Sequence, residues 1–176
     1  MRCPLCGWDN IDGADTCEDC SASLTCCPPN GNQKTVLEES IECDPLAALQ
    51  PVRPVTVAPT DTVGEVIALL SRRNIGCALV VWCDTLVGIF TERDALMKIG
   101  SSLEEVGQQP IRHYMTPAPE ALSQQDTIAF ALNRMAVGDF RHIPIEHDEK
   151  PVGIVSVRDV LSYITRQFPE LLGQAS

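Results

Sequence analysis

The chain has 176 residues and carries 24 acidic against 13 basic side chains, a net charge of −11; so acidic a chain repels a phosphate backbone at long range, which counts against nucleic acid as a partner. Aromatic residues are 5% against 44% hydrophobic in all, so any core must be aliphatic, and no run of 18 apolar residues offers a membrane span. The start, MRCPLC, lacks an apolar stretch of the secretory kind, and the expected compartment is the cytoplasm, where cysteines spaced as CxxC read as metal ligands rather than disulfides.

The first twenty residues hold two such pairs, Cys3-Pro4-Leu5-Cys6 and Cys17-Glu18-Asp19-Cys20. Four thiolates so spaced suit one tetrahedral Zn2+. The segment has too few apolar residues to fold alone, so metal binding would be its folding energy. Gly7 follows the first pair, where a bend with positive φ suits glycine. Residues 3 to 24 resemble the small zinc-ribbon family found at the N-termini of many bacterial regulatory proteins. They depart from it at Ser21, where the family usually has glycine, and at Thr16, where it usually has an aromatic. The resemblance implies a structural zinc clip on Cys3, Cys6, Cys17 and Cys20. A redox dithiol would want one isolated CxxC near a βαβ unit. Residues 1 to 20 set Arg2 against Asp9, Asp12, Asp15, Glu18 and Asp19, so a protein partner suits this surface better than DNA or RNA. Loss of the metal is expected to unfold the ribbon and leave the remainder folded.

Residues 25 to 50 read as a linker. TCCPPNGNQKT, residues 25 to 35, is a breaker cluster and is expected to be a loop. Val36 to Leu49 has weak helical character broken at Pro45. Cys26, Cys27 and Cys43 read as incidental thiols.

Beyond the linker the chain repeats itself. Shifted by 65 residues, positions 61 to 99 align without a gap on 126 to 164, and nine of the 39 are identical, among them Asp61/Asp126, Thr62/Thr127, Gly88/Gly153, Ile89/Ile154, Arg93/Arg158 and Asp94/Asp159. Such identity marks an internal duplication. In the first copy Val55-Thr56-Val57 is extended. Val63, Val66, Ile67 and Leu70 then follow helical spacing, with Thr62-x-x-Glu65 as a capping box. Ala78 to Trp82 and Leu86 to Phe90 make a hairpin, and Thr91 to Ile99 a second helix. The expected fold class is α/β: two β-α-β-β-α repeats, over residues 51–109 and 110–176, packed as a pair and preceded by the small ribbon of residues 1–24.

The repeats resemble CBS domains, and the tandem resembles the CBS pair, or Bateman module. The resemblance spans about residues 51 to 167. Its marks are the heptads GIFTERD (Gly88 to Asp94) and GIVSVRD (Gly153 to Asp159), the run Arg141-His142-Ile143-Pro144-Ile145, and Tyr114-Met115-Thr116-Pro117. It implies a non-enzymatic regulator that binds an adenine nucleotide (AMP, ADP or ATP) or a related ligand such as S-adenosylmethionine or NAD. It also implies roles in the heptads: Thr91 and Ser156 on phosphate, Asp94 and Asp159 on ribose, with Arg93 and Arg158 preceding the acids. The same residues serve equally as capping boxes, and a helix N-terminus suits phosphate in either case. Thr56, Ala78, Thr116, Ile143 and Pro144 would line the base pocket. Arg141 and His142 align with Gly76 and Cys77, so the second site is expected to hold a charged nucleotide better. No arrangement of the three histidines suggests catalysis. Ala95, Leu96, Met97 and Ile99 almost encircle their helix, which suggests an interface and a homodimer. The alternatives are a regulator whose ribbon contacts nucleic acid, against which its acidity speaks, and a scaffold whose repeats bind nothing.

Overall fold

A computed structural model of the chain describes residues 1–11, 14–22, 24, 35–148 and 150–169. The loop expected over residues 25 to 35, with Cys26 and Cys27, lies outside the described residues except for Thr35.

The capping box expected ahead of α2 (Val63–Arg73) is closed. Thr62 Oγ1 accepts from Glu65 N at 3.3 Å, and Glu65 Oε2 accepts from Thr62 N at 3.0 Å. Val63, Val66 and Leu70 are buried along one face, and Asn74 ends the helix in the left-handed region. β2 (Cys77–Trp82) and β3 (Thr85–Thr91) then pair antiparallel. Cys83 and Asp84 between them both have positive φ, 50° and 64°, as a tight two-residue turn of this hand requires. β1 (Thr56–Val57) adds to β2 in parallel and β4 (Thr116–Pro117) to β3 antiparallel, giving the order β1-β2-β3-β4. β2 is buried on both faces. Ala78 and Val80 pack with α2, Phe90 and Ile99; Cys77 and Leu79 pack with Ile89 on the other side.

The helix expected from Thr91 to Ile99 is only partly α. It starts as α3 (Glu92–Asp94) and continues as a π-helical turn, Ala95–Ile99, which Gly100 ends at φ 51°. The next segments are the short α4 (Leu103–Val106) and a 3-10 turn, Ile111–His113. The second repeat follows as α5 (Ile128–Gly138), β5 (His142–His147), β6 (Lys150–Ser156) and α6 (Val157–Gln167). With β4 ahead of α5, the order β-α-β-β-α is written twice, as expected.

The chain divides into two compact units, one of Met1–Pro51, Leu122–Ile143 and Val155–Ser176, the other of Val52–Ala121 and Pro144–Ile154. In the first unit α1 (Val36–Cys43) packs on α5. Pro45 ends the helical run, and a 3-10 turn, Leu46–Leu49, buries Leu46 and Leu49. Bonds that hold this segment include Leu46 N to Asp126 O at 2.8 Å, Ala47 N to Gln124 O at 3.1 Å, Ile128 N to Asp44 O at 3.0 Å, and Tyr163 Oη to the Asp44 carboxylate. In the second unit β1 stays with its own copy, but other residues ahead of the repeats cross over. Val52 bridges Ile154 of β6, while Thr116 pairs with Ile89 of β3. Each hairpin is thus extended by residues that precede the other copy.

Candidate functional site

The two cysteine turns are built alike. Cys3 N donates to Trp8 O and Gly7 N to Cys3 O, at 2.8 and 3.0 Å; Cys17 N donates to Ala22 O and Ser21 N to Cys17 O, at 2.7 and 2.9 Å. Each turn bends through a positive φ, 76° at Gly7 and 57° at Ser21. The four sulfurs lie within 4.8 Å of one another, with Cys3–Cys20 at 3.6 Å and Cys6–Cys17 at 3.4 Å. A tetrahedron with Zn–S bonds of about 2.3 Å sets its sulfurs roughly 3.8 Å apart, so the donor set fits one such ion. Without a cation, burial pushes the Cys6 and Cys20 thiols up. Cys17 goes the other way: burial opposes it, but the amides of Cys20 and Asp19 and the Asn10 side chain bring it down to about 6.

Asn10 escaped the sequence reading. It is buried; its Nδ2 reaches Trp8 O at 3.0 Å and Cys17 Sγ at 3.6 Å, and its Oδ1 accepts from Glu18 N at 2.9 Å. It ties the two turns together and donates to a sulfur. An isolated Asn ahead of a CxxC carries no periodic signal that would have revealed it.

Both heptads make the local bonds of a helix start. Asp94 Oδ2 accepts from Thr91 N at 2.9 Å and from Thr91 Oγ1 at 2.7 Å. Asp159 Oδ2 accepts from Ser156 N at 2.6 Å and from Ser156 Oγ at 2.7 Å. The copies also match one strand away, where Glu92 N bonds Gly76 O at 3.0 Å and Val157 N bonds Arg141 O at 3.2 Å. Arg141 therefore stands beside the first residue of α6, where Gly76 stands beside the first residue of α3.

The second carboxylate oxygen separates the copies. Asp94 Oδ1 is taken by Lys98 Nζ at 2.7 Å and by Thr116 Oγ1 at 3.3 Å, and Lys98 also bonds Tyr114 O at 2.9 Å. Burial works to raise the Asp94 pKa, but the bonds from Lys98 and Thr91 outweigh it and hold the carboxyl below its ordinary value. Asp159 Oδ1 has no partner among the described residues. The position equivalent to Lys98 is Tyr163, which turns to Asp44 instead. Lys98, one turn after the acid, is the second residue that sequence reasoning missed; its i,i+4 spacing from Asp94 was the available signal.

The remaining expected residues are scattered in exposure. Thr56 and Thr116 are exposed at the starts of β1 and β4, and Ala78 is 1% exposed within the core. Arg93, Arg141 and Arg158 are exposed, His142 is half-buried, and Ile143 and Pro144 are fully buried in β5. The structure joins Thr91, Asp94 and Thr116 by direct bonds within the second unit, and Arg141, Ser156 and Asp159 through the start of α6 in the first. Pro144 belongs to the other unit from Ile143. Cys77 is a packing residue: burial, with Glu92's charge behind it, pushes its thiol up to about 12.

The CBS-domain family pattern matches residues 49–101 and 111–166. The chain belongs to the CBS-domain family. Its mixed α/β pair of CBS repeats matches solved members. One is a CBS-domain protein from Agrobacterium tumefaciens, 29% identical over 66% of this chain and 95% of that one, with a TM-score of 0.61. Another, from Pyrobaculum aerophilum and complexed with AMP, is 23% identical over 69% and 98%, at 0.59. Among curated relatives, the CBS domain-containing protein CBSCBSPB1 of Arabidopsis thaliana is 34% identical over 105 residues, 60% of this chain and only 19% of its own length. The CBS match begins at residue 49, so the cysteine cluster lies outside it. No described helix is long and apolar enough to cross a membrane.

Ser21 holds a left-handed conformation that costs a residue with a Cβ about 1–2 kcal/mol. If the four cysteines hold zinc, Ser21→Gly should therefore tighten its retention about fivefold in competition with a chelator, allowing for the greater freedom glycine regains on unfolding. Unchanged or weaker retention would mean that Ser21 sits there without strain.

Proposed function

We propose that this CBS protein is a non-enzymatic sensor of an adenosine nucleotide or related adenosyl ligand, and that its cysteine turns hold one zinc ion. Family membership supports the first part, as do two solved relatives that carry AMP, the Pyrobaculum aerophilum protein and CBSX2. The contrast between Asp159 and Asp94 carries the detail. Asp159 keeps an oxygen open beside a helix start whose amides suit phosphate, and Arg141, exposed and without an ion pair among the described residues, stands next to it. In this reading Asp159 accepts the ribose hydroxyls, and Ser156, Arg141 and the first amides of α6 take phosphate, with Arg158, His142 and Ile143 alongside. Thr91, Arg93, Asp94, Thr116 and Thr56 form the weaker site, because a ligand there must first displace Lys98 from Asp94.

The ribbon's role is to dock a protein. Trp8 and Ile11 are 51% and 75% exposed on it among acids that repel nucleic acid. Four thiolates suit a reducing, cytoplasmic setting. Ligand binding can signal only by favouring one arrangement of the protein over another. A homodimer supplies such arrangements, and Leu96 and Met97, 76% and 78% exposed, are the apolar surface that such an interface would cover.

Three measurements test these proposals. In calorimetry against AMP, ADP, ATP, S-adenosylmethionine and NAD, Asp159→Ala should weaken the best ligand at least about tenfold, since hydrogen bonds to a charged group contribute roughly 1.5–3 kcal/mol each. Asp94→Ala should change affinity less. Unaltered binding in Asp159→Ala, with stability down by about 1 kcal/mol, would reduce the heptad to a helix start. Metal analysis should find about one zinc per chain, lost in Cys3→Ser and in Cys20→Ser. Light scattering at tens of micromolar should give a dimer; a monomer with and without nucleotide would refute that part.

A further inference from the structure

The duplication allows each surface of the second repeat to be compared with its counterpart in the first, and one difference is concentrated where α5 begins. In the first repeat the Thr62 hydroxyl donates to Glu65 Oε2 at 2.7 Å and closes an ordinary capping box. The counterparts of Thr62 and Glu65 are Thr127 and Phe130. An aromatic has replaced the capping acid. Thr127 still accepts from Phe130 N at 3.2 Å, but its own proton goes to Pro4 O at 3.0 Å, 123 residues away in sequence. The Phe130 ring is 6% exposed, although the capping position it occupies is exposed in the first repeat.

The first cysteine turn covers it. A Cβ on Gly7 would stand 2.8 Å from Phe130 Cε2, so the ring lies directly against that backbone. The Arg2 guanidinium sits 5.0 Å from the ring centroid, a cation–π distance. Arg2 also reaches Asp126 Oδ1 at 3.7 Å and bonds Gly7 O at 3.2 Å. Pro4 and Gly7, the two backbone contacts, lie within or next to the Cys3–Cys6 loop, whose shape depends on both sulfurs being held at one point.

We infer that the cysteine cluster is a metal-dependent cap on the second CBS repeat, with residues 2–7 of the same chain as the partner for which Phe130 and Thr127 are shaped. This rests on the zinc reading of the cluster. Bound zinc holds the first turn in the form that covers α5; without zinc the turn loosens, Phe130 is bared, and Thr127 loses its acceptor. Metal is then an input to the second repeat beside nucleotide, even where the repeats stay folded without the ribbon.

Hydrogen exchange on the full chain, zinc-loaded and chelator-stripped under reductant, tests this, with α2 as the internal control. Stripping should speed exchange of the first α5 amides about tenfold or more, as local opening free energies allow, and leave α2 unchanged. Phe130→Glu restores the first repeat's capping pair, so α5 keeps its cap while the ring is gone. This variant should still bind zinc, but its α5 exchange should no longer respond to it. Arg2→Ala, a surface change that serves if Phe130→Glu does not fold, should reduce the response. Zinc-bound protein whose α5 exchanges identically after stripping, or a response retained in full by the variants, overturns the inference alone. A chain that holds no zinc overturns the metal reading and this inference with it.

Discussion

A helix leaves its first amides without partners, and among the described residues this chain places a hydroxyl at five helix starts: Thr35, Thr62, Thr91, Thr127 and Ser156. The residue three positions on decides what else each start can do. Glu38 and Glu65 close their boxes from a longer side chain. Asp94 and Asp159 do the same with one oxygen each, and their short side chains keep the other oxygen at the helix mouth, near amides suited to an anion. Phe130 closes no box and instead receives a neighbouring turn of chain. One local need, met with three different third residues, separates closed boxes, boxes whose acid keeps a second oxygen at the helix mouth, and a start that a neighbouring turn of chain lies against.

The heptads show how duplicated sites diverge while their backbones stay alike. Corresponding hydrogen bonds survive in both, from Gly76 O in one and Arg141 O in the other. The divergence lies in the next layer of side chains. Lys98 neutralises Asp94 within its own turn, whereas Tyr163 is drawn away to Asp44. A carboxylate oxygen that already holds a lysine and the Thr116 hydroxyl has little left to offer a further partner.

The cysteine turns follow the same economy on a smaller scale. With almost no apolar interior, they rely on paired backbone bonds, on Asn10, and on four sulfurs close enough for one ion. Where the interior ends, α5 begins, and Arg2 serves both by lying over Phe130 and reaching Asp126. So small a segment gains from leaning on a larger one, since surface burial is what short domains lack.

The sequence by itself determined the duplication, the order of elements in each repeat, the capping boxes at Thr62 and both heptads, and the pairing of the CxxC turns. All of these are local: periodicity, a hydroxyl three residues before an acid, cysteines two apart. Only the tertiary structure decided that Lys98 closes Asp94 with help from Thr116, that Asp44 holds Tyr163, that residues 46 to 49 are buried, and that Pro4 and Gly7 cover α5. Those outcomes depend on which distant residues the fold brings within bonding distance. A Phe at a capping position looks like a lost interaction until the backbone that lies against it is seen.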